Sequence, residues 1–272
     1  MKLPYIEKTL RIVYGVVELE KNSIMDKWYK HQILLECKEL VKFLPETHLY
    51  TKDRFWEMMS RYKEIMIKPT RGNGGRGIIK VSKITDEIYE VHLRKRQTTI
   101  MEEKSLEQFL QARLGGREFL VQICISLAKV KGNPIDFRYI VQRKREELDW
   151  VITGKHGKVA QDGYIITNLQ NGATVVTVEE ALLNSNITNL DLEKTLAALD
   201  DLSLAVAKCY TNEFDTHKIW GFDLAVDESG HVWLIEANSI PLVGGFRYLE
   251  DLSMYNKVLW YKAYNQKSGK KP

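Results

Sequence analysis

The stretch Gly221–Pro241, GFDLAVDESGHVWLIEANSIP, constrains this chain more than any other. Residues 221–226 and 231–238 are rich in Val, Ile, Leu, Phe and Trp, and Asp227-Glu228-Ser229-Gly230 supplies turn chemistry between them. The pattern predicts two antiparallel strands with Asp223, Glu236 and Asn238 at their ends. With a two-residue loop at Glu228-Ser229, Asp227 faces Gly230 and Asp223 faces Leu234. Glu236 is then the diagonal neighbour of Asp223 on the same face, roughly 7–8 Å away. Asn238, two residues on, shares that face. A loop of odd length would place the two carboxylates on opposite faces. Two carboxylates and an amide carbonyl are hard oxygen donors that suit Mg²⁺. A surface hairpin with an acidic face is the competing reading.

The rest of the chain limits what such a hairpin can serve. Its 272 residues suffice for one large domain or two lobes around a cleft. A net charge of +4 is too small to argue for nucleic acid without a concentrated patch, and a cleft holding polyphosphate explains it equally well. No apolar run is long enough to span a bilayer, so no membrane partner is expected. Cys37, Cys124 and Cys209 are odd in number and widely spaced. No disulfide framework or metal spacing appears, and a reducing cytoplasm is the expected setting. The six histidines are scattered, with His156 and His217 read as surface residues. No Ser-His-Asp or Cys-His pattern suggests a nucleophilic side chain.

A second feature lies upstream. Glu64-Ile65-Met66-Ile67-Lys68-Pro69 reads as a buried strand that ends in a lysine. Thr70-Arg71-Gly72-Asn73-Gly74-Gly75-Arg76-Gly77 is a glycine-rich loop, and Ile78–Val81 returns as a strand. Strand–loop–strand differs from a Walker A or Rossmann turn, which must open a helix. Glycines let backbone N–H groups approach phosphate oxygens, and Lys68 on an apolar strand calls for an anionic partner. A flexible hairpin tip is the alternative.

The remaining pattern alternates helices and strands. Residues 3–20 alternate weakly, as strands do; Met25–Phe43 has helical period with Asp26 as its cap; a short helix follows at Lys52–Tyr62. Strands follow in 86–101, then a helix at Ser105–Leu114 capped by Ser105 and stopped at Gly115-Gly116. Arg117–Ile123 is a strand, and the glycines before it mark a lobe boundary. Beyond it, Ile135–Arg143 alternates so that Asp136, Arg138, Ile140 and Gln142 share one face, with Trp150–Lys155 as partner strand. Val178–Leu183, Leu190–Tyr210 and Leu249–Asn265 are helical. The expected divisions are an extension at 1–23, lobes at 24–116 and 117–266, and a basic tail at 267–272.

Taken together, Asp26-Lys27-Trp28, Leu44-Pro45-Glu46-Thr47, the Lys68-Pro69 loop, Asp136-Phe137-Arg138 and Glu236-Ala237-Asn238 resemble the ATP-grasp superfamily, and within it the YheC/YheD-like proteins of spore-forming bacteria. The resemblance implies an α+β fold of two α+β lobes gripping ATP, with the N-terminal pre-ATP-grasp domain short or absent. It implies phosphate contacts from Lys68, Lys27 and the loop glycines Gly72, Gly74, Gly75 and Gly77. The adenine hinge matches Glu118–Ile125, including Glu118, Gln122, Ile123 and Cys124. Asp223, Glu236 and Asn238 match the ligands of Mg²⁺, two ions being implied, and Arg138 matches a cleft arginine beside the phosphate or acyl phosphate. Asn168 falls where related ligases carry Asn in an Arg-x-Asn-Leu segment. Ile166 stands in place of that arginine, with Lys155 or Arg143 as replacements. The implied activity is an ATP-dependent carboxylate–amine ligase in the cytoplasm, spore-associated by resemblance, with peptide or cell-wall compounds among its candidate substrates. A nucleotide-binding spore-structure protein without turnover and a small-molecule kinase on the same fold are the alternatives.

Overall fold

In the computed structural model the described residues are 24–72 and 74–266. The weakly alternating segment at 3–20 and the tail at 267–272 lie outside them. The elements are α1 (Lys27–Glu36), β1 (Thr47–Leu49), α2 (Lys52–Arg61), β2 (Glu64–Pro69), β3 (Ile79–Lys83), β4 (Ile88–Leu93), β5 (Arg96–Met101), α3 (Glu103–Leu114) and β6 (Phe119–Ile123). They continue as β7 (Lys129–Val130), β8 (Asn133–Gln142), β9 (Val151–Val159), β10 (Thr174–Val176), α4 (Val178–Leu183), α5 (Leu192–Tyr210), β11 (Ile219–Val226), β12 (Val232–Asn238) and α6 (Ser253–Gln266).

Two antiparallel sheets result. The first runs β1-β6-β2-β3-β4-β5, and the second β10-β9-β8-β11-β12 with β7 beside β8. Helices α2 and α3 cover the first sheet: Phe55, Met58, Leu106 and Leu110 pack on Ile65, Ile67, Val81 and Val121. Along α3 these leucines recur at helical spacing, so one stripe is buried. That helix starts at Glu103 after Glu102 at φ 67°, not with Ser105 as its cap, and it stops at Gly115 as expected. Asp26 does cap α1, accepting from the Trp28 and Tyr29 N–H groups.

The second sheet has two unlike faces. Phe137, Tyr139, Phe222 and Leu224 pack against Leu199, Leu202, Val206 and Tyr210 of α5. The intervening residues, Asp136, Arg138 and Asp223, fall on the opposite face, as period-two alternation requires. Leu34 of α1 also joins the α5 core, so α1 belongs to the second sheet although it precedes the first in sequence. Strand β6 lies inside the first sheet, between β1 and β2. The chain therefore crosses between sheets after Ile123, and the boundary expected at Gly116–Arg117 is corrected accordingly.

The packing of α1 on α5 has a second result. Cys37, at the end of α1, forms a disulfide with Cys209 of α5, 172 residues away, with Cα atoms 6.6 Å apart. The wide spacing of the three cysteines predicts no disulfide. So large a separation leaves no spacing pattern to read, and the ground for expecting a reducing compartment falls away. Among the described residues, no helix is long and apolar enough to cross a membrane.

Candidate nucleotide and metal site

The hairpin over Gly221–Asn238 forms, with a register other than the one expected. Val226 pairs with Val232 and Asp227 N–H bonds the His231 carbonyl, so the loop proper is Glu228-Ser229-Gly230, with Gly230 at φ 90°. A three-residue loop of this kind closes with a residue in the left-handed region. The length is odd, and on a regular ladder it would turn Glu236 into the α5 core. A bulge between Asp223/Leu224 and their partners reverses that outcome: Leu224 faces Leu234, yet Asp223 faces Glu236 directly. The extra residue is Ile235. It returns Glu236 and Asn238 to the face of Asp223 and gives the core position to Ala237, which joins the apolar cluster. The carboxylates are thus direct cross-strand neighbours, closer than the diagonal arrangement expected.

Charges on neighbouring strands complete this face. Arg138 Nε and Nη2 donate to Asp223 Oδ1 and Oδ2 at 2.9 and 3.1 Å, a bidentate fork. Asn238 Nδ2 donates to Asp223 Oδ2 at 3.0 Å, and Lys158 Nζ lies 3.4 Å from Asp223 Oδ1 and 2.8 Å from Asp136 Oδ1. Thr167 Oγ1 donates to Asp136 Oδ2. Gly221 makes room for the fork: a Cβ there would lie 2.4 Å from Pro241 Cβ and 3.2 Å from Arg138 Nη1. Burial pushes the Asp223 carboxyl up, but the facing Arg138 and Lys158 outweigh it and hold it below the usual carboxylate value. Asp136 goes the other way: burial, reinforced by Asp223, raises it despite Lys158.

Three lysines line the cleft, Lys27 and Lys30 from α1 on the second sheet's side and Lys68 from β2 of the first sheet. Lys27 Nζ donates to the Gly72 carbonyl at 2.7 Å and sits 3.6 Å from Glu236 Oε1. Lys68 donates to Gln122 Oε1, and Gln122 Nε2 donates to Thr47 Oγ1 at 2.7 Å. Lys30, only 5% exposed, donates to the Ala237 carbonyl on the outer edge of β12. Burial lowers the pKa of Lys68, and lowers that of Lys30 to about 8. The cleft between the sheets, about 510 Å³ counting its open mouth, is lined by Lys27, Lys30, Lys68, Gln122, Leu234 and Glu236 among others.

The glycine loop is folded down onto the second sheet's side. Asn168 Nδ2 donates to the Gly74 carbonyl at 2.5 Å. Gly75, at φ 67°, is in a conformation that strains any side chain, and a Cβ there would press on Ile166 Cδ1 at 2.3 Å. Ile166 is therefore an apolar rest for the loop. Neither replacement named for it reaches the site. Lys155 pairs with Asp200 on the α5 face at 2.8 Å, and Arg143 is spent on the His217 and Asp215 carbonyls. Lys158, in register with Asp136, is the cation that does reach it.

Other expected residues fall less centrally. The Ile123 and Cys124 N–H groups bond the Glu46 and Glu64 carbonyls, so as donors they are already used within the protein. Glu118 lies at the far end of β6 from Cys124, exposed, its carbonyl accepting from Thr70 N–H. Gly72 and Gly77 stay in the loop, with Gly77 packed near Pro69. His156 is buried against Phe246, and His217 is half-buried against Trp220, which corrects the surface reading of both. Burial lowers the His156 pKa to about 3. Lys30, Lys158 and Asp136 were not singled out from sequence for this site. The parity of Asp136 with Arg138 was the available signal for one of them; Lys158 needs the β8–β9 register, and Lys30 needs the docking of α1.

Residues 17–264 match the YheC/D-like ATP-grasp family model. Two proteins of Bacillus subtilis (strain 168) are similar. Endospore coat-associated protein YheD is 28% identical over 244 residues, covering 88% of this chain and 53% of that protein. Endospore coat-associated protein YheC is 22% identical over 235 residues, covering 84% and 63% respectively. The chain thus spans between half and two thirds of the length of these relatives. Solved structures share the fold at low identity. D-cycloserine synthetase DcsG aligns with a TM-score of 0.53 at 11% identity over 89% of this chain and 71% of that one. N5-carboxyaminoimidazole synthetase from Staphylococcus aureus, complexed with ADP, gives 0.53 at 11% over 88% and 51%. Two antiparallel sheets around a lysine-lined cleft, and a family model matched over nearly the whole length, lead to one assignment: the chain belongs to the YheC/D-like ATP-grasp family.

Proposed function

We propose that this chain carries the nucleotide site and the reacting centre of an ATP- and Mg²⁺-dependent carboxylate–amine ligase. The observation that supports this most is that Lys68 from the first sheet and Lys27 from α1 converge on the cleft toward which Glu236 turns, with Asp223, Asn238, Arg138 and Lys158 on the same sheet face. Cations that would bind phosphates face oxygen donors that would bind their counterion.

The donor set suits a hard divalent cation. Asp223 and Glu236 are direct cross-strand partners, and Asn238 follows on the same face. In the protein alone their charge is met by Arg138, Lys158 and Lys27, which stand where added cationic charge is needed. Asp223, Glu236 and Asn238 would hold the metal, with Asp223 sharing its carboxylate between metal and Arg138. When bound, Mg²⁺ neutralises charge on the terminal phosphates.

The protein groups divide the remaining work. Lys27 and Lys68 bind phosphate oxygens, and the desolvated ammonium of Lys68 gains most from an anionic partner. Arg138, released in part from Asp223, orients the phosphoryl group that the carboxylate attacks. The loop at Gly72–Gly77, anchored on Asn168 and Ile166, keeps water from the resulting acyl phosphate until an amine displaces phosphate. Gln122, its amide oriented by Thr47, accepts from Lys68 and so holds that ammonium at the cleft.

Thermal melts with ATP, with and without Mg²⁺, test the reading. Saturation about 100-fold above Kd stabilises by about 2.7 kcal/mol. No shift with millimolar ATP and Mg²⁺ refutes it. Lys68→Ala is expected to weaken ATP more than ADP; an equal loss contradicts its contact with the terminal phosphate. The apolar contact of Ile166 with the loop favours a second reading, nucleotide binding without turnover. Product analysis separates the possibilities: ADP with a new amide supports ligation, ADP with a phosphorylated product a kinase, and neither a binding protein.

A further inference from the structure

Six cations gather at one end of the first sheet. Ile67 pairs with Ile79, Lys80 with His92, Leu93 with Arg96, and Pro69 with Phe119. These registers place the end of β2, the start of β3, the β4–β5 turn and the start of β6 side by side. That end carries Arg71, Arg76, Arg94, Lys95, Arg96 and Arg117, all exposed. Acidic company there is sparse. Arg71 pairs with Asp26 at 3.4 Å, and Glu118 lies exposed nearby. Among the described residues, Arg76, Arg94 and Arg96 have no carboxylate within ion-pair distance.

The β4–β5 turn fixes where half of this charge sits. Leu93 pairs with Arg96, so Arg94-Lys95 is a two-residue loop, and Arg94 sits at φ 56°. Loops of this kind take Gly, Asn or Asp because those residues tolerate the left-handed region. An arginine here opposes the local backbone preference, and the tight turn holds Arg94, Lys95 and Arg96 together at the sheet end.

The same end overhangs the proposed reacting centre. Lys95 Nζ lies 4.9 Å from the centre of the Tyr164 ring on the second sheet's loop. That loop continues through Ile166, against which Gly75 rests, and Thr167, which donates to Asp136, to Asn168, which holds Gly74. Asp136 is two residues from Arg138 on the same strand face. A chain lying along the basic end would therefore run toward Arg138.

We propose that this end of the sheet docks an acidic peptide segment, whose glutamate or aspartate side chains are the carboxylates to be activated. The inference rests on the ligase reading. Carboxylates fit better than nucleic acid for two reasons. The reaction proposed consumes a carboxylate, so each acidic side chain serves both as docking charge and as substrate. Surfaces for single-stranded nucleic acid also present open aromatic faces. Here Tyr164 and Phe119 are capped by Lys95 and Arg117.

The test uses the intact chain, a fluorescein-labelled peptide of about eight glutamates, its glutamine counterpart and an oligothymidylate of equal charge, read by anisotropy at about 0.1 M salt. The glutamate peptide is expected to bind and the glutamine peptide not to. Arg94→Glu with Arg96→Glu is expected to weaken peptide binding about tenfold or more, leaving the ATP-dependent thermal shift unchanged. Arg94→Asn, which suits the turn better, keeps the fold and is expected to bind the peptide more weakly than wild type. Unchanged affinity in both variants overturns the proposal, as does equal binding of the oligothymidylate. No peptide binding beside an intact ATP shift overturns it and leaves the ligase reading standing. Peptide binding without any ATP shift overturns the ligase reading and, with it, the peptide's assignment as substrate.

Discussion

Lys30→Met separates stability from function at the cleft. Burial lowers the Lys30 pKa from 10.5 to about 8, partly offset by Glu236. A charged Lys30 therefore burdens the folded state at neutral pH by about 3 kcal/mol. Between pH 8 and 10.5 the unfolded chain binds more protons at this position than the folded one, so stability rises with pH across that window. Methionine has similar reach and no charge. Its introduction removes the burden but leaves the buried Ala237 carbonyl without its donor, a loss of about 1–3 kcal/mol. The expected balance is a gain of about 1 kcal/mol at pH 7, or about 2–4 °C in Tm. At pH 10 wild-type Lys30 is largely neutral when folded, so the gain vanishes and the variant becomes the less stable protein. ATP·Mg²⁺ binding is expected to weaken in the same variant, because a cation lining the cleft is lost. Denaturant melts at both pH values, with and without ATP, give all four comparisons. A variant that is less stable by the same amount at pH 7 and pH 10 refutes the argument, since Lys30 would then act as a hydrogen-bond donor without a desolvation burden.

Other perturbations address separate parts of the structure. Glu236→Gln is expected to abolish the Mg²⁺-dependent part of nucleotide stabilisation while far-UV circular dichroism stays unchanged; equal binding by this variant refutes the metal assignment. Gly75→Val places a branched side chain at φ 67° and against Ile166, so the loop is expected to lift from the second sheet, with faster proteolysis at residues 71–77 as the readout. Unaltered cleavage would show that the loop does not rest there. Reduction of Cys37–Cys209 releases a cross-link between residues 172 apart, for which chain entropy gives about 5 kcal/mol as an upper figure. Thermal melts with and without reductant are expected to differ by at least several degrees. Identical melts, with both thiols free to alkylation beforehand, would contradict the disulfide.

Much of the fold was legible because its signals are local. The helices at 52–61, 178–183 and 192–210 and the strands at 64–69 and 133–142 follow from hydrophobic period and cap chemistry. The glycine loop was legible because its backbone needs residues without side chains. Long-range pairing was not. Strand β6 looked like the opening of a second lobe, since a glycine pair precedes it, and only its hydrogen bonds to β1 and β2 return it to the first sheet. The cleft lysine Lys30 and the site lysine Lys158 carry no local mark. Each becomes meaningful through a neighbour more than 60 residues away, Ala237 for one and Asp223 for the other.

The hairpin shows the division most clearly. The amino-acid order alone determined that Asp223, Glu236 and Asn238 would end two adjacent strands, because alternating apolar residues and an Asp-Glu-Ser-Gly turn leave few other foldings. Whether the carboxylates meet was decided only in three dimensions. An odd loop would have turned Glu236 into the core, and one extra residue at Ile235 turned it back. Bulges of this kind arise from the demands of both faces of a sheet at once: Ala237 fills the α5 core while Glu236 keeps its charge in the cleft. No single strand's pattern contains that competition.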